Sequence, residues 1–192
     1  MQLSTIFLAS ASLFTQIFAD TVIPGYTIVD LSWEVEATPG IPPVLLNGTV
    51  QEVYAQLLEL NPAFEIQHPP IASRHAAPDG RSKLVRRDHT SCGNWPLASK
   101  KRILEGYKHL AGILGKPKNG PGPGNCGRVS CSYNSAIWWC NDNTFSKTLN
   151  SWYTIAESAL IITNDCASGA DKVSGQRFHA DKWNVIVRGD SC

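Results

Sequence analysis

Cysteine placement constrains this chain more than any other feature. All six cysteines (Cys92, Cys126, Cys131, Cys140, Cys166 and Cys192) follow residue 91, and none precedes Cys92. An even set in a short segment reads as a disulfide framework, which needs an oxidising compartment. Six cysteines allow fifteen pairings, and the sequence does not choose among them. Zinc is the competing use of such clusters, but no Cys-x-x-Cys and no Cys/His pair at ligand spacing is present. No cofactor and no metal is expected.

Export is what a disulfide framework requires, and the first 19 residues supply a signal for it. Ile6-Phe7-Leu8-Ala9, Leu13-Phe14 and Ile17-Phe18-Ala19 form an apolar run too short to span a bilayer, and Ala19 is a small residue fit for signal peptidase. The start lacks Lys and Arg and carries only the free amino group. No later stretch is long and apolar enough to cross a membrane, so the expected product is secreted, extracellular and without a transmembrane segment.

Residues 20–66 read as an acidic pro-segment with a small α+β pattern. Val29, Leu31, Trp33 and Val35 alternate with Asp30, Ser32, Glu34 and Glu36, the period of a half-buried strand. Prolines from Pro39 to Pro43 break the chain. Thr49-Val50-Gln51-Glu52 is a capping box, in which hydroxyl and carboxylate satisfy orphan helix N–H groups. Val50, Val53, Tyr54, Leu57 and Leu58 follow at helical spacing until Asn61-Pro62. Asn47-Gly48-Thr49 is an N-glycosylation sequon, usable on the secretory route.

Residues 67–87 have no apolar periodicity and are rich in Pro, Ala, Ser, Gly and basic residues, the composition of an exposed linker. It ends in Arg86-Arg87, a pair of the kind kexin-type proteases cut. A second basic cluster, Lys100-Lys101-Arg102, falls in a predicted helix that folding should protect.

Residues 88–192 form the expected mature domain. Ile103, Leu104, Tyr107, Leu110, Ala111 and Leu114 lay out a helix, although Gly106 inside it costs about 1 kcal/mol against Ala. A Gly/Pro loop over 115–125 leads to a hairpin over 126–141 with Asn134-Ser135 at its turn. That register puts Val129, Cys131, Tyr133, Ala136, Trp138 and Cys140 on one face. A second helix runs from Leu149 through Trp152, Ile155, Ala156, Ala159 and Ile162 to Cys166. Trp183, Val185 and Val187 alternate in a last strand, with residues near Phe178 pairing across Ala180-Asp181-Lys182. The expected class is α+β: a small disulfide-bonded two-layer domain, both helices on one face of an antiparallel sheet.

Charge divides the chain. Seven acids and no Lys or Arg lie between Asp20 and Ser73; twelve Lys/Arg against eight Asp/Glu lie between Asp88 and Cys192, so 12 − 8 = +4. The signs suit an intramolecular contact between pro-segment and mature domain, although ordinary solvated surfaces explain them equally well. Basic residues form no stripe beyond Lys100-Lys101-Arg102 and Lys116-Pro117-Lys118, so nucleic acid is not an expected partner.

Signals for chemistry are few. Gly120-Pro121-Gly122-Pro123-Gly124 is a connector, because its prolines lack the N–H donors of a phosphate loop. Glu105 and His109 are four apart on the first helix, and His179 and Asp181 lie near the last strand. With Arg177 they offer the residue types of acid–base ribonuclease chemistry. The plainer reading is a weak pair on a helix face, since no motif joins these groups. Gly-x-Ser-x-Gly and His-Glu-x-x-His are both missing. Trp138-Trp139 face opposite ways on a strand, so one ring is a possible binding surface, against the plainer reading that both are core. Asn141-Asp142-Asn143 is a polar turn, too short for a calcium loop.

The run Gly124-Asn125-Cys126-Gly127-Arg128-Val129-Ser130-Cys131-Ser132-Tyr133-Asn134-Ser135-Ala136-Ile137-Trp138-Trp139-Cys140-Asn141-Asp142-Asn143 resembles small cysteine-rich secreted proteins of filamentous ascomycete fungi. So do the ending Trp183-Asn184-Val185-Ile186-Val187-Arg188-Gly189-Asp190-Ser191-Cys192 and the start, Pro24-Gly25-Tyr26-Thr27-Ile28-Val29-Asp30 with Gly48-Thr49-Val50-Gln51-Glu52-Val53. The order of elements is similar, more loosely, to killer toxins and necrosis-inducing effectors, several of which are kexin-processed. The resemblance implies a secreted effector or toxin-like protein acting on the surface or proteins of a host or competitor cell, and carries over no catalytic residue. The rivals are a secreted ribonuclease-like hydrolase using His109 or His179, and a cell-wall-associated structural protein.

Overall fold

A computed structural model describes residues 23–64 and 88–192. The expectations for the signal peptide, Ala19, the linker and Arg86-Arg87 fall outside the described residues. Within them the chain is mixed α/β and rich in sheet, and none of its helices is long and apolar enough to cross a membrane.

The acidic alternation folds as expected but in two pieces. β1 (Thr27–Val29) and β2 (Ser32–Val35) are separated at Asp30-Leu31, and Trp33 and Val35 are buried while Ser32 and Glu34 are exposed. β2 pairs antiparallel with β3 (Val44–Asn47). α1 (Val50–Leu60) begins at the capping box, where the Thr49 N–H donates to Glu52 Oε2 at 2.6 Å. Val50, Val53 and Leu57 are its buried stripe.

After residue 87 come β4 (His89–Cys92), β5 (Ala98–Ser99) and α2 (Lys100–Gly112). Then follow β6 (Lys118–Asn119), β7 (Asn125–Ser132), β8 (Ser135–Asn141) and β9 (Lys147–Thr148). α3 (Trp152–Asp165) starts three residues after Leu149, where its apolar pattern begins, and is capped by Ser151, whose Oγ accepts from the Tyr153 N–H. The chain closes with β10 (Ala167–Ser168), β11 (Lys172–Val173), β12 (Gly175–His179) and β13 (Trp183–Gly189). The main sheet runs β1-β7-β8-β13-β12-β4, antiparallel except for β1 on β7.

The hairpin corrects the expected register. Tyr133 and Asn134, both at positive φ, form the turn, one residue earlier than expected. This is the mirror-image turn that matches strand twist. A bulge between Arg128 and Ser130 leaves Val129 without a cross-strand partner. The extra residue shifts the alternation, so Val129 joins Ile137 and Trp139 rather than Cys131, Ala136, Trp138 and Cys140. Tyr133 sits at the turn, 74% exposed, under the Arg102 guanidinium.

Among the described residues two apolar clusters result. The larger joins Ile103 and Leu110 of α2 and Ile155, Ala159 and Ile162 of α3 to Ile137, Trp139, Val185 and Val187 of the sheet, and it includes Leu31, Trp33, Val35, Val53 and Leu57 of the N-terminal segment. The smaller gathers Cys126, Ala136, Trp138, Cys140 and Ile186 under Ile23, Tyr26 and Trp95.

The cysteines pair as Cys92–Cys166, Cys126–Cys140 and Cys131–Cys192. Cys126 and Cys140 are direct cross-strand neighbours. Cys92–Cys166 ties edge strand β4 to the end of α3, and Cys131–Cys192 holds the C-terminal tail on β7. Loop-closure entropy assigns about 3 kcal/mol to the short bridge and about 4 kcal/mol to each long one. Reduction and alkylation are therefore expected to lower the melting temperature sharply in mild buffer; an unchanged melt would refute this.

Gly106 has a packing role that outweighs its poor helix propensity. A Cβ there would lie 2.4 Å from Ser130 Oγ and 3.2 Å from Ile137 Cδ1, so only glycine lets α2 approach the sheet this closely. Gly106→Ala is expected to destabilise by about 1–2 kcal/mol in urea titration, overpacking outweighing the gain in propensity. A more stable variant would contradict this packing.

Candidate functional site

Strand alternation on β12 puts Arg177 and His179 on one face and Gln176 and Phe178 on the other. β4 pairs beside them, with Thr90 opposite Arg177 and His89 opposite Phe178. Asp88, just before β4, thereby lands against the end of β12. Its Oδ2 is 2.8 Å from His179 Nδ1 and 3.4 Å from Arg177 Nη2, and its Oδ1 accepts from the Ala180 N–H at 3.1 Å. Arg177 Nη1 also donates to Thr90 Oγ1.

The other ring nitrogen of His179, Nε2, lies 2.9 Å from Ser158 Oγ on α3. The imidazole stacks on Trp183 with centroids 3.5 Å apart, and His89 stacks on Phe178 at 4.7 Å. A cleft of about 170 Å³ opens here, lined by His89, Asp142, Phe178, His179, Lys182 and Trp183. That is smaller than the roughly 300 Å³ at which small-molecule pockets begin, so it suits a few waters or one small group.

Asp88, His179 and Ser158 stand in the order and at the spacing of a Ser-His-Asp relay. Ser158 does not meet the other conditions. It is 2% exposed, its Oγ is also 2.9 Å from Thr154 O, and its N–H lies within the α3 ladder and cannot help stabilise an oxyanion. Its hydroxyl has one proton for two acceptors, His179 Nε2 and Thr154 O. The line is best described as a buried polar relay that fixes the β4–β12 corner to α3.

Burial pulls the His179 pKa below its ordinary value; the Asp88 charge opposes this and Arg177 reinforces it. At Asp181 burial alone would raise the carboxyl, but the Lys147 ammonium, 2.5 Å away, overrides it and the net shift is downward.

The other candidate residues lie elsewhere. Glu105 pairs with Arg102 at 2.9 Å, and His109 stacks on Tyr54 at 5.1 Å. Lys100-Lys101-Arg102 opens α2 and so has helical backbone. The possible binding surface at Trp138-Trp139 needs correction, because both rings are buried. Trp139 lies edge-on to Trp152 of α3. Trp138 is covered by the C-terminal tail, where its Nε1 donates to Asp190 Oδ2 at 3.0 Å. Asn47 ends β3 at the exposed surface, its Oδ1 accepting from Ser32 Oγ. Asn141-Asp142-Asn143 braces loops: Asn141 Nδ2 donates to Gly120 O and Phe145 O, and Asn143 Nδ2 to Lys182 O. Asp88 and Ser158 escaped sequence reasoning; the only available signal was the two-residue spacing of Arg177 and His179.

Because the folded His179 has the lower pKa, it disfavours the proton relative to the unfolded chain. Its contribution to stability is complete above the ordinary value of about 6.5 and is lost as pH falls through the folded value. Thermal melts from pH 7.5 down to pH 5 should show this decline, and His179→Gln should flatten it. Identical slopes would contradict the assignment. No protein-family model matches this chain, and neither a curated protein nor a solved structure matches it.

Proposed function

We propose that the chain is the precursor of a secreted, disulfide-framed protein of effector or toxin type, which acts on a host or competitor cell by binding a surface or protein there. The precursor is cut after Arg86-Arg87, following removal of a signal ending at Ala19. Residues 88–192 are then a two-layer helix/antiparallel-sheet domain, and 20–66 an acidic α+β pro-segment open to glycosylation at Asn47. The observation that carries this reading is that all six cysteines are bridged to one another, with none left for a partner before residue 88. All three bridges close within residues 92–192, so a cut after residue 87 leaves the framework whole and no bridge across it. Such a framework suits an oxidising, extracellular setting.

Binding is favoured over catalysis because Ser158 is buried and Glu105 and His109 are engaged away from His179. The contact of Asp88 with His179 at the mouth of a cleft favours a secreted hydrolase, ribonuclease-like in its acid–base groups, as the second reading.

Arg87→Ala is expected to leave a heavier secreted chain on a denaturing gel; equal masses would sink the processing step. The secreted protein, oxidised or reduced and alkylated, should be applied to plant tissue and to growing yeast and fungal cells. Death or arrest with the oxidised form alone is the expected outcome. RNA hydrolysis lost in His179→Gln, without any cellular response, would instead establish the second reading.

A further inference from the structure

The N-terminal segment does not sit on the cysteine domain as a detachable cover. β1 pairs with β7 as the edge strand of the main sheet, Thr27 opposite Asn125 and Val29 opposite Gly127. Trp33 stacks on Trp152 with centroids 3.6 Å apart, and both rings are fully buried.

The domain is shaped for this segment. A Cβ on Gly127 would lie 2.1 Å from Leu31 Cγ, and one on Gly115 would lie 2.5 Å from Glu34 O, so two glycines leave room that the segment fills. Polar groups of the domain also take their partners from it. Gln51 Nε2 donates to Ser130 Oγ at 2.8 Å, and Gln51 Oε1 accepts the Cys131 N–H beside the β7 bulge at 3.2 Å. Gln176 Nε2 donates to Tyr26 Oη at 2.8 Å. Losing the segment would bare the edge of β7, the face of Trp152 and a backbone N–H together. The Glu36 and Glu52 carboxylates bond within their own segment.

We infer that, after cleavage, residues 23–64 remain bound to 88–192 as a second, non-covalently held chain. The functional protein is then a two-chain particle, and the N-terminal segment is a resident subunit. This rests on the cleavage proposed above. The surface of the domain around Gly127, Ser130 and Trp152 is a built receptor for one occupant, this chain's own segment.

The test uses protein secreted from the full precursor, purified without denaturant, and a second preparation carrying a unique protease site placed between residues 65 and 87 and cut in vitro. Each is run on a denaturing, non-reducing gel and weighed by native mass spectrometry. Two bands on the gel with one native mass equal to their sum is the expected result. A native mass of 88–192 alone, with folded near-UV dichroism, would overturn the inference. A single band at the mass of the uncut chain from the secreted preparation refutes the processing step, and the in vitro cut then decides retention by itself. Gly127→Ala should speed loss of the segment from the cut protein at least tenfold on dilution, and Gln51→Ala, which leaves the backbone unstrained, should speed it as well. Unchanged loss in both would also overturn it.

Discussion

Trp33 lies nearly flat on Trp152, 15° from parallel, and Trp152 in turn meets Trp139 edge-on at 6.4 Å. These three rings come from the N-terminal segment, from α3 and from the centre of the sheet. Burying a large apolar side chain is worth about 1.5–3 kcal/mol, and a well-placed aromatic pair adds about 0.5–1.5 kcal/mol. The Trp33 Nε1–H is satisfied by Gly48 O at 2.7 Å, so the ring enters the core without an orphaned donor. Leu31, Val35, Val53, Leu57 and Phe64 then pack around it in the same cluster as the helices and sheet. The segment and the cysteine domain therefore share one core.

Among the described residues, the cluster on the opposite face of the sheet takes in no helix. There Cys126–Cys140 lies across β7 and β8, and Cys131–Cys192 draws the tail over Trp138, where Arg128 Nη1 also holds Ser191 O at 2.8 Å. Small cores supply limited stability, and covalent bridges make up the difference where packing is thin. Two of the three bridges sit where the apolar cluster is smaller, and the third pins edge strand β4. That pin also holds Asp88 near β12, so the polar corner at His179 depends on the bridge framework.

Much of this was legible where the signal is local. The buried stripe of Leu31, Trp33 and Val35, the capping box at Thr49, the α3 pattern and the pairing of β12 with β13 across Ala180 follow from period and turn chemistry. What escaped was non-local. The bulge at Val129 shows no sequence mark, yet it moves that residue to the other face and frees the Cys131 N–H for Gln51. Asp88 reads as one more charge until β4 pairs with β12. Gly106 reads as a flaw in a helix until Ser130 is placed against it. Disulfide pairing belongs to the same class, since it depends on which strands become neighbours.

The shared core is tested most directly by a double-mutant cycle between Trp33 and Trp152 in the uncut chain. Unfolding free energies would be measured for Trp33→Leu, Trp152→Leu and the pair. Stacked rings in one core require a coupling energy of about 1 kcal/mol or more between the two positions. Strict additivity, with no coupling, would mean that the two rings do not meet and that the segment does not share the core of the cysteine domain.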